Sequence, residues 1–408
     1  MTHPDIDGPR AWRRLAAVVA LATLGGAGMW TVAVMLPILQ QEFGASRGGA
    51  SAPYMLTMLG FALGGILMGR LADRFGVMRP LLFASLMLGG GFVLAGLSSS
   101  LLGFALAQGV MIGMLGASAA FGPLMADASL WFSRRHGIAV ALAASGNYLA
   151  GAIWPPILNA LIAWQGWRMA HIMIGLFLLL AMPPLALMLR ARAPALRPGG
   201  PAPAVEDARP LGFRPRTLTA ILGVAGICCC VAMAMPQVHI VAYCADLGYG
   251  VARGTEMLSI MLACGIVSRL ASGLIADRIG GLATLLIGSL LQASSLALFL
   301  FFDSLASLYV LSALFGLMQG GIVPSYAVVV REHFPPREAG VRVGIVLMST
   351  LVGMALGGWL SGVIFDATGS YAAAFLNGVA WNAANVAIIA TLLMRVQKRR
   401  LQPALASR

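Results

Sequence analysis

Gly69-Arg70-Leu71-Ala72-Asp73-Arg74-Phe75-Gly76 closes one long apolar stretch of this 408-residue chain. Gly273-Leu274-Ile275-Ala276-Asp277-Arg278-Ile279-Gly280 closes another, every position shifted by 204. A second echo follows each: Trp131-Phe132-Ser133-Arg134-Arg135-His136-Gly137 answers His333-Phe334-Pro335-Pro336-Arg337-Glu338-Ala339-Gly340, and Pro123 answers Pro324. Turns repeated at the ends of apolar runs describe a chain made of two like halves. Two like helical bundles with a site between them are the architecture of secondary transporters.

The runs themselves settle the class. Apolar residues make up 59% of the chain and charged ones 10%, with mean hydropathy +0.88. Runs of about twenty residues are the length needed to cross roughly 30 Å of hydrocarbon. Twelve spans are expected, over 15–40, 48–68, 81–97, 101–125, 138–162, 169–189, 218–241, 257–275, 283–302, 308–330, 343–365 and 372–394. The fold class is an all-α polytopic membrane protein of two pseudo-symmetric six-helix bundles. The bundles occupy 15–190 and 216–395, with a short N-terminus at 1–14, a Pro-, Ala- and Arg-rich linker at 191–215 and a tail at 396–408. The runs are too long for strands of a β-barrel.

A net charge of +13 suggests nucleic acid until the basic residues are placed. Arg10, Arg13, Arg14, Arg70, Arg74, Arg79, Arg134 and Arg135 fall with the linker and tail on one side, against Arg47, Arg168 and Arg253 on the other. This is the positive-inside asymmetry. It predicts both termini in the cytoplasm, a multi-pass protein of the inner (cytoplasmic) membrane, and no nucleic-acid partner. The first run is too long for a removable signal peptide and is read as a retained helix. The five cysteines lie in or beside spans without metal-ligand spacing and are expected to pack as small apolar residues.

The Gly-x-Leu-Ala-Asp-Arg-x-Gly turn between spans two and three, repeated between eight and nine, resembles the signature loop of the major facilitator superfamily. The resemblance covers essentially the whole chain. It implies alternating access by rocking of two six-helix domains, with spans 1, 2, 4, 5, 7, 8, 10 and 11 lining the cavity. It also implies a gating motif of Gly69, Asp73, Arg74 and Gly76, with Asp277 and Arg278 in the second half. Asp73 would dock on the start of span eleven, and Arg74, Asp127 and Arg134 would complete a cytoplasmic latch. Residues 131–139 leading into Ala144-Ser145-Gly146-Asn147, Gly166-Trp167-Arg168, and Arg269 are similar to the monocarboxylate and oxalate:formate exchanger branch. Where the animal monocarboxylate branch carries an acid one turn before the arginine, this chain has Gly265.

Arg269 falls inside span eight, where an unpartnered charge costs several kcal/mol and marks a functional site by default. Its counterpart in the first half is Gly65, so the repeat does not require it. Every acid lies in a loop or near a span end, which leaves no mid-membrane carboxylate to neutralise it. A guanidinium can instead hold a carboxylate from outside the chain through two parallel hydrogen bonds. A small organic anion, a monocarboxylate or related acid, is therefore the expected substrate.

Asn147 and Trp154 share one helical face, as do Gln319 and Tyr326 two turns apart; with Trp30, Tyr54 and Tyr148 they are expected to complete the site. Each has an alternative role in helix packing. His239, with Gln237 beside it, is the candidate for proton coupling, since imidazole titrates near physiological pH. Transport would run as proton symport or exchange against a counter-anion; an exporter of lipophilic drugs or metabolites is the alternative. No phosphate loop, metal cluster or catalytic pairing occurs, so no cofactor, no metal and no enzymatic activity is expected, and the protein should work as a monomer in the lipid bilayer.

Overall fold

The computed structural model describes residues 6–132, 135–191 and 210–406, and the expected linker falls largely outside them. In the first half, α1 (Pro9–Gly25) and α2 (Ala27–Phe43) form one crossing interrupted at Gly26. Then come α3 (Arg47–Phe75), α4 (Met78–Leu97) and α5 (Leu101–Leu106). The last continues through a π-helical stretch (Ala107–Gly116) and a 3-10 turn (Ala117–Ala120) into α6 (Gly122–Leu130), and α7 (His136–Leu187) completes the half. The second half comprises α8 (Pro215–Asp246), α9 (Val251–Ile279), α10 (Gly281–Leu298), α11 (Leu305–Gln319), α12 (Ile322–His333), α13 (Pro336–Thr368) and α14 (Tyr371–Ala406). Helices are what this composition permits, because backbone groups in hydrocarbon must be bonded within their own segment.

Among the described residues eleven helical stretches are long and apolar enough to cross a membrane, against the twelve expected. The difference lies in α7, which is broken at Gly166 (φ 78°, ψ 163°). Before the break, Gly146 and then the later Ala150 meet Ala22 and then Gly26 of the first crossing, so the two run parallel. After it, residues 168–172 meet Gly96 of α4 while Leu179 meets Gly89, an antiparallel arrangement. The chain therefore turns back at Gly166, and α7 supplies two crossings.

The duplication is visible in backbone geometry. Gly76 (φ 80°, ψ 161°) and Gly280 (φ 87°, ψ 160°) end α3 and α9 in the same conformation, one that residues with a Cβ rarely adopt. Glycine is also required where helices touch. A Cβ on Gly60 would lie 2.1 Å from the Gly109 carbonyl oxygen, and one on Gly320 would lie 2.3 Å from that of Gly265. These contacts seat α3 on the π-helical stretch and α9 on the end of α11, the small-residue packing that lipid-immersed helices use.

The halves meet through α3 on α13 and α7 on α9. Their contact is asymmetric along the membrane normal. At the end carrying Arg47, Gly48 packs on Val363 and Gly362 on Ser51. Toward the arginine-rich end, the basic face, Gly65, Gly69, Gly273 and Gly344 have nothing within 4 Å of a Cβ position. The halves are shut at the face opposite the basic one and part toward the basic face.

Candidate functional site

Arg269 projects from α9 into the contact between the halves. Its Nη1 donates to the Ala144 carbonyl of α7 at 2.9 Å, and its Nε to the Gly320 carbonyl at 3.4 Å. The second acceptor exists because of sequence: residue 324, four positions on, is a proline with no N–H, so the Gly320 oxygen has no helical partner to lose. The guanidinium carbon lies 4.2 Å from the centroid of the Tyr148 ring, a cation–π distance. Gly265, one turn earlier, is what admits that ring, since a Cβ there would fall 2.3 Å from Tyr148 Cε1. Among the described residues Arg269 has no carboxylate partner. The side chain is half-buried and turned across the interface rather than drawn to a water-facing end.

Tyr54 of α3 approaches from the other side of the interface. Its ring lies against Gly358 of α13, its phenol is within electrostatic reach of Cys230 and Tyr148, and its buried hydroxyl has no hydrogen-bond partner among the described residues. Asn147 Oδ1 is likewise buried and unpartnered. Trp30 donates its indole N–H to the Asn147 carbonyl at 3.2 Å and packs on Gly151, which also faces Leu262 of α9. Arg269, Tyr148, Tyr54, Asn147 and Trp30 thus lie where the halves meet.

Other expected residues lie elsewhere. Tyr326 is fully buried inside the second half and donates to Asn385 Oδ1 at 2.7 Å, within a network that runs through Asn382 and Ser289. Gln319 does not share its surroundings: its Oε1 accepts from Gln237 Nε2 at 3.1 Å, leaving Gln319 Nε2 and Gln237 Oε1 unpartnered. The helix is interrupted between α11 and α12 at Gly320 and Gly321, which rotates Tyr326 off the face of Gln319 and toward α14. Trp154 donates to the Thr23 carbonyl at 2.8 Å and packs edge-on to Phe177, so its contacts stay within the first bundle. The cysteines are free; Cys228, Cys229, Cys230 and Cys244 are buried.

The expected latch on the basic face is not formed in this state. Asp73 and Arg74 are exposed, and Asp73 has no hydrogen-bond or ion-pair partner among the described residues. Asp277 and Arg278 are exposed as well. Asp127 instead holds Arg14 of α1 through two bonds of 2.7 and 2.8 Å, beneath the Trp131 ring, inside the first bundle. Arg134 lies outside the described residues. At the start of α13, Arg342 is engaged by Glu338 and by Thr219 and the Pro215 carbonyl of α8.

Sequence reasoning missed the residues that join the halves at the opposite face: Arg47, Asp246, Asp366 and Tyr371. Arg47 was legible as one of few arginines on its side. Its partners were not, because they come from three other helices.

Comparison with known proteins agrees with this architecture. The Major Facilitator Superfamily profile matches residues 18–293 and 256–407. Monocarboxylate transporter 13 of Rattus norvegicus is 30% identical over 355 residues, covering 84% of this chain and 78% of the relative. The agnestins efflux protein AgnL12 of Paecilomyces divaricatus is 25% identical over 296 residues, 71% of this chain and 66% of its own. Among solved structures, the nucleoside transporter NupG superposes with a TM-score of 0.72 at 14% identity, covering 93% of this chain and 99% of that one, a likeness of fold. The duplicated turn, the two bundles and the profile spanning both halves place the chain in the major facilitator superfamily, as a multi-pass membrane transporter and not an enzyme.

Proposed function

We propose that this transporter carries a small organic anion, a monocarboxylate or related acid, bound at Arg269 and moved by alternating access as proton symport or anion exchange. The observation that carries the proposal is the guanidinium at the interface, held by two carbonyl oxygens and the Tyr148 ring with no acid beside it among the described residues. Carbonyl dipoles orient the group without neutralising it, so the site keeps a net positive charge for an anion to meet. Tyr54 and Asn147, at the same meeting of the halves, offer unpartnered polar atoms for a hydroxyl or second oxygen of the substrate. The similarity to monocarboxylate transporter 13 supports the class of substrate.

The same reading assigns the basic face to the cytoplasm, with both termini there, in the inner membrane of the cell, and takes 15–190 and 216–395 as the rocking bodies. The gating motif then acts in the alternate state, when closure of the basic face brings Asp73 to the positive N-terminal end of α13.

Export of lipophilic compounds is the second reading. It is favoured by a largely apolar groove of about 600 Å³ between α1 and α7, lined by Trp12, Leu15, Val19, Thr23, Leu142 and Leu149 among others, and by the similarity to an efflux protein. Thermal unfolding of the purified protein with a panel of carboxylic acids and a panel of neutral and cationic lipophiles separates the two. A ligand that binds only the native state raises apparent stability, by about 2.7 kcal/mol at a hundred times its Kd. Stabilisation by short carboxylates supports the anion reading; stabilisation by the lipophiles alone overturns it.

A further inference from the structure

At the face opposite the basic one, four helices converge on Arg47, the first-half member of a mostly second-half cluster. Arg47 is 7% exposed, and its Nη2 donates to Asp246 Oδ1 of α8 at 2.9 Å. Its Nη1 donates to the Tyr371 hydroxyl of α14 at 2.7 Å, and its guanidinium lies 4.5 Å from the Phe365 ring centroid on α13. Asp366 of α13 accepts from the backbone N–H groups of Arg47 and Gly48, both at 2.7 Å. Beneath this, His239 Nδ1 is 3.0 Å from the Tyr371 hydroxyl, and its Nε2 is 2.7 Å from the Gly358 carbonyl oxygen.

The directions of these bonds are forced. A carbonyl only accepts, so His239 carries a hydrogen on Nε2, and in the neutral ring Nδ1 is then an acceptor. Tyr371 donates to it and is free to accept from Arg47. The chain runs one way, from Arg47 through Tyr371 and His239 to Gly358. The groups that bear on His239 are Tyr371 from α14, Arg47 from α3 and Asp366 from α13, with Asp246 and Tyr243 on its own helix farther along.

We propose that this cluster is the gate of the outer face and that His239 is its proton-binding site. A proton on Nδ1 removes the acceptor that the Tyr371 hydroxyl requires and places a second cation beside Arg47. The two aspartates already hold Arg47 and the start of α3; neither contacts the imidazole, and Asp366 bears on it through space less than the opposing Arg47 does. Protonation and closure therefore exclude one another, and acid on the outer face shifts the halves toward the state open there. The inference rests on the transporter reading and its orientation; it does not depend on which substrate Arg269 holds.

Spin labels on Gln41→Cys and Ala367→Cys, both exposed and on opposite halves, report the gate through their distance distribution in lipid nanodiscs without substrate. The parent chain serves as the blank for native cysteines. Lowering the pH from about 8 to about 5.5, the range in which imidazoles titrate, is expected to raise the long-distance population severalfold. His239→Gln, whose amide can accept from Tyr371 and donate to Gly358 but cannot titrate, should keep the closed distribution throughout. Arg47→Gln should lengthen it at every pH. A distribution in the parent that ignores pH, a pH response surviving in His239→Gln, or a closed gate in Arg47→Gln would each overturn the proposal. Loss of carboxylate transport with the pH response intact would instead count against the anion reading alone.

Discussion

Replacing Arg269 tests the anion site most directly, and the structure sets the size of the effect. An arginine has five N–H donors. Two are committed to the Ala144 and Gly320 carbonyls, which leaves three, enough for a bidentate carboxylate. A hydrogen bond to a charged group is worth about 1.5–3 kcal/mol, so two amount to about 3–6 kcal/mol. At about 1.4 kcal/mol per tenfold, Arg269→Ala should weaken carboxylate binding by about 10²–10⁴-fold. Arg269→Lys keeps the charge and one donor but cannot form the parallel pair, and should sit between the two, about 10–100-fold below the parent. Uptake of labelled lactate and similar acids into vesicles, with binding measured on the same purified variants, gives both numbers. A purely structural arginine predicts a different pattern: both variants unfold earlier, while the surviving folded protein binds carboxylates as before. Full transport by the alanine variant would refute the reasoning.

Gly265→Ala pushes a methyl into the Tyr148 ring, and overpacking of that kind costs about 1–3 kcal/mol; substrate affinity should fall with it, and vesicle uptake reads the loss. Tyr326→Phe leaves Asn385 Oδ1 short of a donor deep in the second half and should destabilise by about 1–3 kcal/mol with binding unchanged. Tyr54→Phe removes a hydroxyl with no partner among the described residues and should do the reverse; thermal unfolding beside ligand titration separates the pair. Asp127→Asn strands the nearly buried Arg14, an effect of about 3–5 kcal/mol on unfolding, whereas Asp73→Asn should leave this state's stability unaltered. Equal melting of the two asparagine variants would refute the assignment of Asp127 to the first bundle.

Span number and duplication were legible because they depend on short-range chemistry: run length against bilayer thickness, and a turn that needs glycine at a positive φ. Arg269 was legible for the same reason, since a charge in an apolar run is conspicuous without knowing its neighbours. Its acceptors were not: Pro324 shows that the Gly320 oxygen lacks a helical partner, but only the structure brings Arg269 to it. The polar faces were less legible. Gln319 and Tyr326 match in helical phase, yet the break at Gly320 and Gly321 sends one to Gln237 and the other to Asn385. Periodicity assumes an unbroken helix, and here the helix is interrupted.

What the amino-acid sequence determined by itself is the architecture: twelve crossings, two like halves, and one unneutralised cation among them. What only the tertiary structure decided is which face is shut and by what. Arg47, His239 and the neighbouring pair Asp366 and Tyr371 are distant from one another in sequence and carry no shared spacing. They meet because α3, α8, α13 and α14 converge at one end of the bundle. Asp73, assigned to the expected latch, makes no hydrogen bond or ion pair among the described residues, and the glycines toward that end, Gly65, Gly69, Gly273 and Gly344, have open space beside them. Sequence records the surfaces each half can offer; which of them touch is set by the relative position of the halves, which no short-range pattern encodes.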